Sequence, residues 1–315
     1  MRRLTDEIVL FLQEHGFNIS TEILCGAEII LVYSPQAVIF PVRIEAGSQE
    51  EAHLAAIQAK EVTEAILDRF SSYPVIVAED RWKKDGTAIR ERLLAHLERH
   101  FQIYARNCEA RRIDKATAAS FLDRTHSYGG AASKYRYGLF VKRHTGHLAV
   151  SYKAADVGEL VAVACFSGAR RWKKGDRIIS SYEWVRYASL PGLRISGGMG
   201  KLLQAFIDEV HPDDIMSYAD LEWSEGRVYQ KLGFTLESHK EAVMFTVDSK
   251  WNRTAVRRLA ERNVIPTGTH VIPTEVEESV IKPIPDYKFF QNFGSNKYRL
   301  KLTEYFIPLQ AEKDS

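Results

Sequence analysis

Hydrophobic residues recur with the period of an α-helix between residues 199 and 210, the most regular pattern in the chain. Apolar positions at i, i+3, i+4, i+7, i+8 and i+11 form one continuous stripe along such a helix. Before the helix, Ile178 to Ala188 is rich in β-branched and aromatic residues, which predicts a strand. After it, the short apolar run from Asp214 to Ala219 predicts a second, buried strand. The stripe consists of Met199, Leu202, Leu203, Phe206, Ile207 and Val210.

A glycine-rich turn lies between the first of these strands and the helix. Gly197, Gly198 and Gly200 let backbone N–H groups approach a ligand closely, and the start of the helix adds its positive dipole end. The turn is therefore suited to an anion, although a turn without a ligand or a dinucleotide fold would also use glycines here. Against the dinucleotide fold, no acidic residue closes a following strand about 20 residues on, and no regular βαβ repeat surrounds the turn.

A short helix is predicted after the second strand, because Ser224 can cap its start and Gly233 can end it. This helix carries Tyr229 in the segment Tyr-x-x-Leu-Gly-Phe. The order strand, glycine turn, helix, strand and tyrosine helix resembles the GNAT acyltransferase superfamily, from about Glu109 to Val247. The resemblance implies a mixed, mostly antiparallel twisted sheet flanked by helices. It also implies acetyl-CoA or another acyl-CoA as the cofactor, with Tyr229 beside the thioester sulfur.

The resemblance further implies which residues hold the cofactor. The family places Gln or Arg three positions before the first glycine of its motif pair, and Ile195 occupies that position when Gly198 and Gly200 are aligned. Arg194 lies one position early, and a one-residue bulge would restore the pattern. The implied cofactor-binding residues are Val185, Tyr187, Arg194, Gly197, Gly198, Met199, Gly200 and Lys201.

Acid–base chemistry has two main candidates. A carboxylate at Glu183 is suited to deprotonate an incoming amine, and the Tyr229 phenol is suited to protonate a leaving thiolate. Strand alternation places Glu183 and Arg186 on opposite faces unless the strand contains a bulge. The alternatives are that Glu183 and Arg186 form a structural ion pair and that Tyr229 is a core aromatic residue.

Three further residues complete the candidate catalytic set. Asp220 lies at the carboxyl end of a strand, where α/β sheets place ligands, or it braces the loop before Ser224. Ser224 is a candidate on the same loop. His126 follows a predicted helix, and the resemblance implies that this region lines the acceptor side. The other histidines show no ligand spacing, and Cys25, Cys108 and Cys165 are too scattered for a zinc site or a disulfide framework, so no metal is expected.

A basic run provides a second kind of candidate site. It is either a solvated loop or a surface for phosphate or nucleic acid, on which a tryptophan would stack on a base. With 43 basic and 41 acidic residues, the net charge of +2 gives no global nucleic-acid signature. The segments from Tyr182 to Tyr187 and from Tyr218 to Ser224, together with the glycine turn, are similar to phage GNAT-like proteins and, in outline, to Mom-type DNA-modification proteins. The run contains Arg170, Arg171, Trp172, Lys173, Lys174 and Arg177.

The chain is long enough for more than one domain, and we predict boundaries at residues 1–105, 106–248 and 249–315. The first is predicted to be a smaller α/β domain with a hairpin over residues 28–45. It resembles restriction-endonuclease-like nucleases of the very-short-patch repair type. Glu45 has neither the lysine nor the aspartate that magnesium-dependent cleavage needs, so a degenerate, non-cleaving domain is expected. Thr235 to Val247 is predicted to be a closing hairpin, and Asn252 to Asn263 a helix.

Two classes of function follow from these patterns. The first is an acyltransferase that moves an acyl group from a coenzyme A thioester to an amine. The second is a nucleic-acid-binding or base-modifying protein of a mobile element. The acceptor and the oligomeric state are not specified by the sequence. No signal peptide or apolar run of 18 residues occurs, so a cytoplasmic protein without membrane contact is expected.

Overall fold

The computed structural model describes residues 3–143, 155–222, 226–257 and 287–304. The chain forms two compact units, and each draws on separate parts of the sequence. The first unit consists of Met1–His100, Asp220–Glu225 and His239–Ser295. The second consists of Phe101–Ala219, Gly226–Ser238 and Asn296–Ser315.

Helices and strands follow one another along the whole described chain. In chain order they are α1 (Leu4–Glu14), β1 (Ile19–Leu24), β2 (Ala27–Tyr33), β3 (Gln36–Val42), α2 (Gln49–Phe70), β4 (Val75–Ala78), α3 (Glu79–Lys84), α4 (Gly86–His96), β5 (Phe101–Tyr104), a 3₁₀ turn (Ala105–Asn107), β6 (Cys108–Arg112), α5 (Lys115–Thr125), β7 (Tyr135–Val141), β8 (Leu160–Phe166), β9 (Arg170–Lys174), β10 (Arg177–Ser189), β11 (Leu193–Ser196), α6 (Gly198–Val210), β12 (Asp214–Asp220), α7 (Arg227–Lys231), β13 (Thr235–Lys240), β14 (Met244–Val247), β15 (Arg253–Ala255), β16 (Lys288–Gln291) and β17 (Ser295–Lys301).

The first unit is built on a sheet with the strand order β1-β2-β3-β4. Its first three strands are antiparallel, and β3 and β4 are parallel because α2 connects them. Ile8 of α1 and Val62 of α2 belong to two separate buried clusters. A smaller sheet, β15-β14-β16, completes the unit. The predicted hairpin of β2 and β3 is confirmed, whereas the patterning did not predict β1.

The second unit contains the larger sheet, with the order β13-β17-β12-β10-β8-β7-β6, and β9 pairs with β10 beside this path. Strands β6, β7, β8, β9 and β10 pair antiparallel, and β10 pairs with β12 in parallel. Leu202 and Phe206 of α6 pack into one core, and Phe121 of α5 packs into another. The predicted fold class, a mixed and mostly antiparallel sheet flanked by helices, is confirmed.

One prediction for the C-terminal part is wrong, and the start of another is misplaced. Thr235 to Val247 does not form a hairpin, because β13 lies beside β17 and β14 pairs with β15 and β16 of the other sheet. The helix predicted from Asn252 begins later than predicted, since Arg253–Ala255 is the strand β15 and residues 256–257 are helical. The remainder of that predicted helix, from residue 258, lies outside the described residues.

Within the described part of the chain, no helix is both long and apolar enough to cross a membrane. Over the same residues, no group of three or more histidine, cysteine, aspartate or glutamate side chains is placed to hold a metal ion. Cys25 is an exposed free thiol, and Cys108 and Cys165 are buried free thiols.

Candidate functional site

The parallel strands β10 and β12 separate in the middle of the large sheet. Their paired positions run from Ser181 and Asp214 to Glu183 and Met216. One position further, Ser217 Oγ lies 3.0 Å from the Trp184 carbonyl oxygen. Both strands are described over their whole length, and beyond this point they form no further ladder pairs. We call the space between residues 184–189 of β10 and 217–219 of β12 the strand gap. Ligands of α/β sheets commonly bind where neighbouring strands diverge in this way.

A β-bulge lies on the β10 side of the strand gap. Trp184 pairs with Phe166 of β8, but Arg186 pairs with Cys165, so Val185 is an extra residue in β10. Strand alternation places Glu183 and Arg186 on opposite faces unless β10 contains a bulge, and this bulge is present. It leaves Val185 and Arg186 both partly exposed after the buried Trp184.

The glycine turn leads into α6 in the left-handed conformation, with Gly197 at φ 78°. A Cβ atom on Gly198 would lie 2.9 Å from Ile195 Cγ2 and 3.3 Å from the Tyr187 hydroxyl oxygen. A Cβ atom on Gly200 would lie 3.3 Å from Leu232 Cδ2, directly after α7. The turn thus lies beside Tyr187 near the end of β10 and beside Leu232 after α7. The first amides of α6 have no partners within the helix, as at any helix start, and point away from it.

Three other predicted cofactor residues surround this turn. The Lys201 ammonium donates to the carbonyl oxygens of Ala105 (3.0 Å) and Cys108 (2.6 Å), so it ties the start of α6 to β6. Arg194 is exposed on β11. Burial raises the pKa of the Tyr187 phenol, which keeps this group neutral.

Tyr229 on α7 reaches the base of the strand gap. Its hydroxyl oxygen lies 2.9 Å from Ser217 Oγ. Its ring stacks on Tyr298 of β17, with centroids 5.3 Å apart, and meets Phe234 edge to face at 5.5 Å. Burial raises the pKa of the Tyr229 phenol, so the group is protonated at neutral pH. Tyr229 is therefore a packed aromatic residue whose hydroxyl group Ser217 holds at the strand gap.

The Arg186 guanidinium does not pair with Glu183, in contrast to the ion pair considered from the sequence. It donates instead to the carbonyl oxygens of Gly129 (3.2 Å) and Val185 (2.8 Å). These bonds hold the loop after α5 against β10. The Glu183 carboxylate is partly exposed and forms no ion pair within the described part of the chain. It remains available for a polar ligand.

His126 ends α5 and belongs to the loop that Arg186 holds. The backbone N–H of Tyr128 donates to His126 Nδ1 at 3.1 Å. An accepting Nδ1 is unprotonated, so the neutral ring carries its proton on Nε2. The tautomer is thus fixed by the local backbone.

The last two catalytic candidates differ in their positions. Asp220 is the final residue of β12 and groups with the first unit. Its Oδ1 accepts from the Glu222 backbone N–H at 3.0 Å, as expected for a brace of the following loop. Ser224 lies outside the described residues.

The basic run forms the hairpin of β9 and the start of β10. Trp172 Nε1 donates to Ser181 Oγ at 2.9 Å, and Ser181 donates to Asp214 at 2.6 Å. This chain of hydrogen bonds fixes the indole to the sheet. Arg177 pairs with Asp213 at 2.8 Å. Arg177 is itself exposed; the other exposed cations of the hairpin are Arg170, Arg171 and Lys173, whereas Lys174 is partly buried.

Sequence reasoning missed Ser217 and Tyr298. Ser217 was detectable as the polar residue among the inward-facing positions Ile215 and Ala219 of a buried strand. Tyr298 had no local signal, because β17 follows β16 in the chain yet inserts between β12 and β13 in the sheet.

No family model matches the chain, and no curated protein matches it. Among solved structures it is similar to yncA of Salmonella typhimurium, a proposed acetyltransferase with its cofactor acetyl-CoA, at 13% identity and a TM-score of 0.32, covering 65% of this chain and 99% of that one. A proposed GNAT-family acetyltransferase of Desulfovibrio desulfuricans gives 13% identity and a TM-score of 0.30, covering 62% of this chain and 99% of that one.

A third similar structure is the mutant AtaT toxin bound to the C-terminus of the antitoxin AtaR and acetyl-CoA. It gives 11% identity and a TM-score of 0.25, covering 50% of this chain and 98% of that one. Similarities this remote assign neither a family nor an activity to the chain. They also give no support to the resemblances to Mom-type proteins and to restriction-endonuclease-like nucleases.

Proposed function

We propose that the second unit transfers an acyl group from a coenzyme A thioester to an amine. One observation carries the proposal: a protonated phenol, that of Tyr229, stands where β10 and β12 separate, and Leu232, directly after the helix of Tyr229, lies beside Gly200 at the start of α6. A proton donor and an anion-binding helix end therefore meet at one opening in the sheet. This arrangement is suited to a substrate with a phosphate at one end and a leaving group that needs a proton at the other.

The residues around the strand gap fit such a substrate. The N–H groups of Gly198, Met199 and Gly200 would hold a pyrophosphate at the start of α6. The bulge at Val185 exposes the edge of β10, where an extended chain can hydrogen-bond to the backbone. An acyl-CoA bound there supplies an activated carbonyl carbon and a thiolate leaving group.

The remaining steps are proton transfers by this chain. Glu183 would take a proton from the ammonium form of the acceptor, so that the amine nitrogen can form a bond with the carbonyl carbon. His126, neutral and with an N–H on Nε2, is the second candidate for contact with the acceptor. As the carbon–sulfur bond breaks, the Tyr229 hydroxyl would give its proton to the sulfur. The second proton, lost by the nitrogen as the amide forms, restores the phenol through solvent, and Glu183 releases the first proton to solvent. The products are an amide and a thiol.

Replacing Gly200 by valine is expected to weaken coenzyme A binding about tenfold or more. A side chain at this position covers amides of the first turn of α6, and hydrogen bonds to charged groups are worth about 1.5–3 kcal/mol each. Isothermal titration calorimetry with coenzyme A measures the change. Gly198 is unsuited to this test, because any side chain there meets Ile195.

The matched control for this experiment is Gly168→Val. Gly168 is exposed before β9, and a Cβ atom there meets only Lys134 Cδ, at 3.7 Å. This variant is expected to bind coenzyme A as the unaltered chain does. Absence of any binding to the unaltered chain would contradict the proposed function.

Nucleic-acid binding is a second candidate function, and the hairpin of β9 and β10 favours it. Arg170, Arg171 and Lys173 are exposed there and form no ion pair within the residues that the structure describes. Three unneutralised cations on one short hairpin are suited to phosphate groups. The Trp172 indole is hydrogen-bonded to Ser181. Trp172 therefore stabilises the hairpin and does not project freely toward a base.

Changing Arg170, Arg171 and Lys173 together to alanine is expected to flatten the salt dependence of DNA binding. Each phosphate contact removed lowers the slope of log K against log salt by about 0.7 to 0.9. Fluorescence anisotropy with a labelled oligonucleotide at several salt concentrations gives the slope.

The control for the hairpin variant removes the same charge elsewhere. Arg3, Arg43 and Lys60 are exposed cations of the first unit. Their replacement by alanine is expected to leave the slope unchanged. Equal slopes for the two triple variants, or no DNA binding by the unaltered chain at low salt, would argue against the hairpin as a nucleic-acid surface.

A further inference from the structure

The hydroxyl group of Ser217 lies within hydrogen-bond distance of both the Tyr229 hydroxyl and the Trp184 carbonyl oxygen. Ser217 is 2% exposed on β12, and its Oγ lies 2.9 Å from the Tyr229 hydroxyl oxygen and 3.0 Å from the Trp184 carbonyl oxygen. A serine hydroxyl has one proton to donate and can also accept. It therefore donates to only one of these two oxygens at a time. When the Ser217 hydroxyl donates to the Trp184 carbonyl oxygen, it accepts a hydrogen bond from the Tyr229 hydroxyl. After rotation it donates a hydrogen bond to the Tyr229 oxygen instead.

We propose that Ser217 is a positioning residue for acyl transfer, which fixes the Tyr229 phenol and then donates a hydrogen bond to the phenolate when the proton has gone. The proposal rests on the function proposed above for the second unit. It assigns to Ser217 no contact with substrate, because the residue is buried behind the phenol.

Ser217 is the side chain placed to donate a hydrogen bond to a Tyr229 phenolate. The ring contacts of Tyr229 are aromatic, with Trp184, Phe234 and Tyr298. Within the described part of the chain, Ser217 is the one side chain that hydrogen-bonds to the Tyr229 hydroxyl. Burial raises the pKa of Tyr229, and the Ser217 hydrogen bond acts in the opposite direction. A phenolate in an apolar cage is costly unless a donor such as Ser217 turns toward it.

The proton movements balance in this scheme. As the carbon–sulfur bond breaks, the electron pair goes to sulfur, and the Tyr229 proton follows it to form the thiol. The Ser217 proton stays on Ser217 throughout and only changes its acceptor, from the Trp184 carbonyl to the phenolate oxygen. The proton released by the acceptor amine reaches the phenolate through solvent, after which Ser217 turns back.

The test compares Ser217→Ala, Ser217→Cys and Ser217→Thr in the full chain. Fluorotyrosine is placed at position 229, which lowers the phenol pKa into a range where the protein stays folded, and fluorine NMR follows its titration. The alanine variant is expected to raise the midpoint by about one pH unit, a tenfold change in proton affinity. The threonine variant keeps a hydroxyl and is expected to keep the midpoint, and the cysteine variant, a weak donor, to lie between them.

Turnover gives the second readout. In Ser217→Ala, kcat is expected to fall about tenfold while KM for acyl-CoA stays within about twofold, because the phenolate is stabilised only during the chemical step. Threonine is expected to restore kcat. A merely structural role would lower the melting temperature and leave the titration midpoint in place.

The two proposals fail in different ways. If no amine is acylated by the unaltered chain, the proposed function fails, while the titration still shows whether Ser217 holds the Tyr229 phenolate. If acylation occurs and Ser217→Ala leaves both the midpoint and kcat unchanged, the role of Ser217 is overturned and the proposed function stands. Should the alanine variant not fold, an unshifted midpoint in the near-isosteric cysteine variant overturns it equally.

Discussion

Turnover is expected to fall about 10² to 10⁴ fold when Tyr229 is replaced by phenylalanine, with the Kd for coenzyme A nearly unchanged. The change removes one oxygen atom and keeps the ring, which packs between Tyr298 and Phe234. The variant therefore removes the proposed proton donor to the leaving sulfur, together with its hydrogen bond to Ser217. Single-turnover measurement of thiol release, together with calorimetry, separates the chemical step from binding.

Tyr137→Phe is the matched control for this variant. It also removes a buried phenol hydroxyl of the second unit, which donates from β7 to Glu209 of α6 at 2.8 Å. We expect a modest loss of stability, about 1 kcal/mol, and unchanged turnover. Equal turnover in Tyr229→Phe and the unaltered chain would return Tyr229 to a purely packing role.

Much of the second unit follows from local patterns in the sequence. The apolar stripe predicts α6 because its residues pack on one side of a sheet, and the helix is found at Gly198–Val210. Strand alternation at Glu183 and Arg186 indicated that a ligand-facing arrangement needs a bulge, and the bulge is at Val185. These two features could be predicted from the sequence because each depends on residues that are close together in the chain.

The remainder depends on partners that are distant in sequence. Only residues 241–243 separate β13 from β14, as in a hairpin, yet the two strands belong to different sheets. Alternation predicts that a segment is a strand but not which strand lies next to it. Tyr298 stacks on Tyr229 because β17 inserts between β12 and β13, and no pattern within β17 predicts this contact.

Arg253 shows the same effect on secondary structure. The segment from Asn252 was predicted to be helical, but Arg253 lies in β15 and its guanidinium is buried. It donates to both carboxylate oxygens of Asp80 at 2.7 Å and to Glu222 at 2.6 Å. It also lies 4.3 Å above the ring of Phe290. These tertiary contacts, all within the first unit, outweigh the local preference for a helix.

Replacing Arg253 by methionine is therefore expected to destabilise the first unit by about 3–5 kcal/mol, the usual cost of leaving a buried charge unpaired. The side chains of Asp80 and Glu222 are 1% and 2% exposed, so water does not compensate them. Urea unfolding measures the loss. The variant Arg69→Met is the control, because Arg69 pairs with Glu22 at the surface, where such a pair is worth less than about 1 kcal/mol.

The loss in Arg253→Met is also expected to depend on pH. Burial raises the pKa of Glu222, Arg253 lowers it, and without Arg253 the folded-state pKa lies further above its unfolded value. The folded state then binds the proton more tightly than the unfolded state, so stability falls as pH rises between the two values. The deficit should be smaller at about pH 5 than at about pH 8.

Adding Asp80→Asn and Glu222→Gln to Arg253→Met should recover part of the loss and flatten this dependence, since both buried charges are then gone. A deficit equal to that of Arg69→Met at both values would contradict the structural role of the three charges.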